Sequence, residues 1–151
     1  MNILIDADAC PVTHETIDEA LKRHIPVIMI KSFAHFSPND QQPGVDAIYV
    51  DSESEAADYK IIQNVQKGDL VVTQDYGLAS LVLGKGAHAI HHKGMVYTDH
   101  NIDGLLQSRY LNALARQSGE RSKGPKAFSN EDRDQFTSSL QQLLDDLDHS
   151  V

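Results

Sequence analysis

The sequence predicts an α/β domain of three layers, helix on sheet on helix, around a mainly parallel sheet of about five strands. Three observations carry this. Short apolar runs without polar alternation recur along the chain, as expected of strands covered on both faces. Stretches with helical apolar spacing separate them, which implies right-handed crossovers and helices on both sides of the sheet. Carboxylates close several of the runs, at the sheet edge where such folds bind ligands.

The first run is Ile3-Leu4-Ile5, followed by Asp6 and Asp8 where the strand passes into a turn. If the strand persists to residue 8, alternation places both carboxylates on one side, where they repel unless solvent, a cation or a shared proton offsets the cost. Pro11 suits the first turn of a helix, and Ile17, Ala20 and Leu21 form its buried stripe up to Arg23-His24. Pro26 opens Val27-Ile28-Met29-Ile30, a second strand parallel to the first. From Lys31 to Gly44 the turn residues Ser37-Pro38-Asn39-Asp40 and Pro43-Gly44 read as a long loop over the end of the sheet.

Val45 to Val50 is the third strand and ends at Asp51, with Ser52 and Glu55 spaced as a capping box for the next helix. That helix carries the stripe Ala57, Ile61, Ile62 and Val65, with Asp58 beside it. Gly68-Asp69 turns into Leu70-Val71-Val72-Thr73, a fourth strand ending in Gln74-Asp75, and a short helix from Leu78 to Val82 stops at Gly84-Lys85-Gly86. Ala87 to His91 is a weak fifth strand. Asn101 to Arg116 forms an amphipathic helix capped by Thr98, and Ser129 with Asp132 caps a final helix whose acidic end, Asp145, Asp146 and Asp148, opposes the helix dipole and should fray.

A chain of 151 residues fits one domain, with a basic loop over 117–128 and a C-terminal helix over 129–148. No apolar run approaches the roughly 18 residues of a membrane span, and Met1-Asn2 lead straight into a strand without a signal peptide's basic segment and small-residue cleavage site. A cytoplasmic location is the expectation, and the single cysteine agrees with a reducing compartment. A net charge of −9 argues against a protein that coats nucleic acid, because phosphate binding needs Lys or Arg. It leaves room for an enzyme that gathers acids round a cation and meets a polyanion with a small basic patch.

Asp6, Asp8, Asp51 and Asp75 lie at strand ends, and Asp58 lies early in a helix starting there, so these carboxylates should converge. Hard oxygen donors without cysteine-rich or paired-histidine spacing suit Mg²⁺ or Mn²⁺, and phosphodiester hydrolysis is the natural reaction. Asp6, Asp58 and Asp75 are the expected ligands, with Asp8 a further ligand or the group that orients water. Each Asp taken singly is more often a helix cap or a solvated loop residue; only their convergence favours function. Cys10 reads as a packing residue, since neighbouring carboxylates oppose a thiolate. The histidines His88, His91, His92 and His100 match no zinc spacing and read as surface or substrate-contact groups. Lys85, Arg109, Arg121, Lys123 and Lys126 are the candidate contacts to phosphate.

The strings Asp-Ala-Asp-Ala-Cys-Pro-Val (6–12), Gly-Asp-Leu-Val-Val-Thr-Gln-Asp-Tyr-Gly-Leu-Ala (68–79), Leu-Gly-Lys-Gly-Ala (83–87) and Lys-Gly-Pro-Lys-Ala-Phe (123–128) resemble the bacterial YaiI/YqxD family over nearly the whole chain. That family in turn resembles the PIN and NYN nucleases. The resemblance implies a PIN-like sheet, with Asp6 as the first-strand acid, Asp58 as the helix acid and Asp75 as the acid of the Thr-x-Asp string. It also implies a Mg²⁺- or Mn²⁺-dependent nuclease whose partner is nucleic acid, RNA before DNA. Where PIN domains often place a further acid or amide shortly after that third Asp, Tyr76-Gly77 follow here. Two alternatives stand: a haloacid-dehalogenase-like phosphatase, because Asp6-Ala-Asp8 after an apolar strand also fits a nucleophile and acid/base pair, and, from the missing acid, a non-catalytic PIN-like module that binds RNA or protein.

Overall fold

The computed structural model describes residues 1–53, 55–117 and 127–149. Most of the expected basic loop, with Arg121, Lys123 and Lys126, lies outside the described residues. Five strands form one sheet: β1 (Ile3–Asp6), β2 (Val27–Ser32), β3 (Val45–Val50), β4 (Leu70–Val72) and β5 (His88–Ile90). The helices are α1 (Thr13–Lys22), α2 (Ala56–Asn64), α3 (Tyr76–Gly84), α4 (Asp99–Gln117) and α5 (Asn130–His149). The strand order is β3-β2-β1-β4-β5, and every neighbouring pair is parallel.

The apolar runs lack alternation because each face of the sheet is covered. Ile3, Ile5, Met29 and Val72 pack beneath α1 and α5 with Ile17, Ala20, Phe136, Leu140 and Leu144. Leu4, Ile30, Val71 and Ala89 point the other way, onto Ile61 of α2, Leu78 and Val82 of α3, and Ile102 of α4. The three-layer α/β/α arrangement expected from the sequence is thus the observed one.

Two of the anticipated caps form. Thr98 and Asn101 exchange backbone-to-side-chain bonds ahead of α4, and Ser129 and Asp132 do so ahead of α5. The Ser52/Glu55 box does not. The chain closes a turn there, with the Ala56 amide on the Glu53 carbonyl, and α2 begins at Ala56 without a side-chain cap. Nor does the acidic end of α5 unwind: the helix continues to His149, and Arg23 holds Asp145 at 2.6 Å, offsetting the unfavourable charge. Gly94, at φ +97°, turns the chain after β5 directly against α5, where a Cβ would lie 2.7 Å from Ser139 Oγ. Among the described residues no helix is long and apolar enough to cross a membrane.

Candidate metal centre

With strand order 3-2-1-4-5, the chain leaves β1 in one direction and returns to build β4 in the other. The crevice between the carboxyl ends of β1 and β4 is therefore the topological switch point, where open parallel sheets hold their ligands. Asp6 ends β1 and Asp75 follows β4 by three residues, so the two acids flank that crevice.

Thr73 ties the two sides together. Its hydroxyl donates to Asp6 Oδ2 at 3.0 Å and accepts the Asp75 amide at 3.0 Å, while its carbonyl accepts the Tyr97 hydroxyl at 3.1 Å. One buried side chain thus sets the separation of two acids from different strands. Asp75 is also the N-cap of α3, where its Oδ1 accepts the Leu78 amide at 3.1 Å. The helix-cap reading and the site reading both hold for this residue, since a cap uses only one of its oxygens. Asp58, on the first turn of α2, lies within hydrogen-bonding reach of the Asp75 carboxyl.

The electrostatics report the crowding. Burial, then the charges of Asp75 and Asp6, push Asp58 up to about 6. Asp6 is raised as well, by burial and by Asp75 and Asp8, against the lowering effect of the Thr73 bond. Asp6 and Asp58 are thus held at an electrostatic cost, to which the charge of Asp75 contributes in both cases. Arg109 of α4 is the cation beside them, its Nη1 3.5 Å from Asp75 Oδ1. Gly77 makes room for it: a Cβ there would come within 3.3 Å of Asp75 Oδ1 and 3.5 Å of Arg109 Nη1. Glu55, Asp58, Tyr59, Asp75, Leu81 and Arg109 are among the residues lining an open cleft of about 550 Å³, which reaches Asp58 and Asp75.

Asp8 is placed differently. Because β1 ends at Asp6, alternation does not carry through to residue 8 and the two carboxylates diverge. Asp8 Oδ1 turns to the end of β2, where it accepts the Ser32 amide at 2.7 Å and stands 3.0 Å from His35 Nδ1. Asp51 is exposed at the end of β3 and is not among the charges acting on Asp6 or Asp58. Lys85 lies at the opposite edge of the sheet. A helix that starts at the carboxyl end of β4 must run back to the amino edge to enter parallel β5, and there Lys85 Nζ donates to the Ile62 carbonyl at 2.6 Å.

Cys10 is half-buried and packs against the α1 side of the core, and burial raises its thiol. His92 is no surface group: it is 4% exposed, with burial and His91 pushing it down to about 4. The sequence reading missed Thr73 as the connector, although a hydroxyl two residues before a strand-end acid is a recognisable turn signal. It also missed His35, for which the sequence carries no local signal.

Among the described residues no three His, Cys, Asp or Glu side chains stand as a ready metal cage. The donor set nevertheless fits a hard cation: oxygen donors only, from Asp6, Asp58 and Asp75, with a raised carboxyl whose proton a cation would replace.

The pattern described as "Uncharacterized BCR, YaiI/YqxD family" matches residues 4–146. A UPF0178 protein of Bacillus anthracis (strain A0248) is 55% identical over 144 residues, covering 95% of this chain and 99% of its own. A UPF0178 protein of Bacillus cereus (strain Q1) is 54% identical over the same shares. Among solved structures, Rae1 (YacP) from Bacillus subtilis aligns over 99% of this chain and 98% of its own, with 18% identity and a TM-score of 0.40. The length and identity of these sequence matches make the chain a member of the YaiI/YqxD family.

Proposed function

We propose that this protein is a nuclease that hydrolyses phosphodiester bonds, with RNA as its first candidate substrate and with Mg²⁺ or Mn²⁺ held by Asp6, Asp58 and Asp75. The observation that carries the reading is the crowding of those three acids at the switch point, which raises Asp58 to about 6. Groups forced together at a cost mark functional sites more often than structural ones. The preference for RNA rests on the resemblance of the family's motifs to PIN and NYN nucleases.

A bound divalent cation would supply Lewis-acid chemistry, polarising a phosphoryl oxygen and acidifying a water. Thr73 keeps Asp6 and Asp75 at a fixed separation, so that neither must reorganise when a phosphate arrives. Asp58, whose carboxyl is raised to about 6 beside Asp75 and Asp6, would give up its proton as the cation binds and serve as an oxygen donor. Arg109 offers its guanidinium to a phosphate at the mouth of the cleft.

The test is cleavage of labelled RNA and DNA oligomers by purified protein with Mg²⁺ or Mn²⁺, alongside Asp6→Asn. Metal-dependent RNA cleavage that Asp6→Asn loses is the expected result. Equal cleavage by both proteins, or none with either metal, would overturn the proposal. The phosphatase alternative has less support, because one Asp8 oxygen is engaged by Ser32 and His35 instead of facing the Asp6 crevice. A non-catalytic binding module draws support from Arg109, a cation standing beside Gly77, near where PIN domains often place a further acid or amide. RNA binding without turnover would favour it.

A further inference from the structure

Beyond the carboxylates, the same edge of the sheet carries an aromatic cluster that the proposed reaction does not use. Phe33 and Phe36 lie in and just after the 3₁₀ turn following β2, and they are 61% and 60% exposed. Both pack on Tyr49 near the end of β3, with ring centroids 5.8 Å and 5.3 Å away; the Phe33 ring is stacked at 24°. Tyr49 is itself fixed. Its hydroxyl donates to Asp40 Oδ2 at 2.6 Å, and Asp40 also takes the Ser37 amide and Lys31 Nζ at 2.9 and 3.0 Å. Lys31 and Asp40 are largely enclosed, so the loop beneath the rings is locked by a satisfied polar network. Two exposed phenyl rings held on a rigid base are costly to leave in water.

The cluster is joined to the acidic site. Within the same turn, His35 reaches Asp8, and Asp8 follows β1 two residues after Asp6. Tyr49 is two strands from β1, roughly 10 Å at ~4.8 Å per strand. By strand alternation Tyr49 belongs to the α1 face and Asp6 to the α2 face, so a chain touching both would cross the carboxyl edge of the sheet over Asp8 and His35.

We propose that Phe33 and Phe36, seated on Tyr49, form a stacking platform for unpaired bases of a single-stranded nucleic acid whose phosphate lies at the Asp6 crevice. The proposal rests on the nuclease reading for the position of that phosphate. Aromatic rings take any base, because every base presents a π-face, and a net-negative protein gains from a contact that does not depend on phosphate charge. A duplex has no free base faces to offer, so the platform selects single strands.

The experiment measures binding of a fluorescent twelve-nucleotide RNA with Ca²⁺ in place of Mg²⁺ or Mn²⁺, with its abasic counterpart and a duplex as competitors. Phe33→Ala/Phe36→Ala should bind the single strand about tenfold to hundredfold more weakly, and wild type should bind the abasic strand equally weakly. Both side chains are exposed, and circular dichroism is the check that the variant folds as wild type does. The chain has no tryptophan, so Phe36→Trp adds a lone reporter whose fluorescence single-stranded RNA should quench. Equal binding of normal and abasic strands, or unchanged binding by the double variant, overturns the proposal. A wild-type dimer that the double variant dissolves, with no RNA binding, would assign the rings to a second copy of this chain and also overturn it. Hydrolysis of bis-p-nitrophenyl phosphate, too small to need the platform, tests the acidic site separately. It should be equal in wild type and double variant, and its absence with intact base-dependent binding would sink the nuclease reading alone.

Discussion

Asp58→Asn should make the protein more stable at neutral and higher pH while removing the proposed nuclease activity. The carboxyl of Asp58 is raised from 3.8 to about 6, by burial and then by Asp75 and Asp6. The folded protein therefore binds this proton more tightly than the unfolded chain. The sign is opposite to that of a salt-bridged acid: stability is greatest below the unfolded value near 4 and declines as pH rises through about 6. For an enclosed group the loss would approach ~3 kcal/mol. The side chain is partly exposed, so screening by solvent reduces this to about 1 kcal/mol. Asparagine removes the charge and still presents an N–H to Asp75. In metal-free buffer at pH 8, Asp58→Asn should melt about 2–4 °C above wild type, and the difference should vanish near pH 4. Thermal unfolding followed by circular dichroism at both pH values measures it. A variant that melts at or below wild type at pH 8, or a difference independent of pH, would refute the argument that Asp58 is held at a cost.

Arg109→Ala removes an exposed cation from Asp75, so stability should change by less than about 1 kcal/mol. Mn²⁺ binding, followed by calorimetry, should tighten because a competing charge is gone, while KM for an oligonucleotide rises. Gly94→Ala forces a side chain against Ser139 Oγ and the Gln135 carbonyl at a left-handed φ, and should cost roughly 1–3 kcal/mol in urea unfolding without altering metal affinity. Phe136→Ala empties a fully buried site between α5, α1 and the sheet, and should cost about 3–5 kcal/mol by the same measurement.

The strands and their order of appearance were legible because burial on both faces leaves unmistakable runs such as Ile3-Leu4-Ile5 and Leu70-Val71-Val72. Their parallel pairing then put Asp6 and Asp75 at one edge without any knowledge of side chains. What a linear reading could not fix was where a strand stops. β1 ends two residues before Asp8, and that difference sends Asp8 to Ser32 and His35 instead of alongside Asp6. The misplacement of Lys85 had a different source: as a cation at the end of a short helix it was a candidate phosphate contact, while the direction of α3 commits it to the amino edge. The pairing of Phe33 and Phe36 with Tyr49 joins residues separated by a long loop, and no periodicity encodes such a contact. His92 shows the limit of polarity as a guide, since this imidazole, packed beside His91, is only 4% exposed.

The central claim is that Asp6, Asp58 and Asp75 together hold a divalent cation at the switch point between β1 and β4. A crystal soaked in Mn²⁺ tests it directly through anomalous scattering. The account predicts a peak contacted by oxygens of those three residues, lost in an Asp6→Asn crystal. A peak confined to Asp8 and His35, or none at millimolar Mn²⁺ near neutral pH, would contradict it.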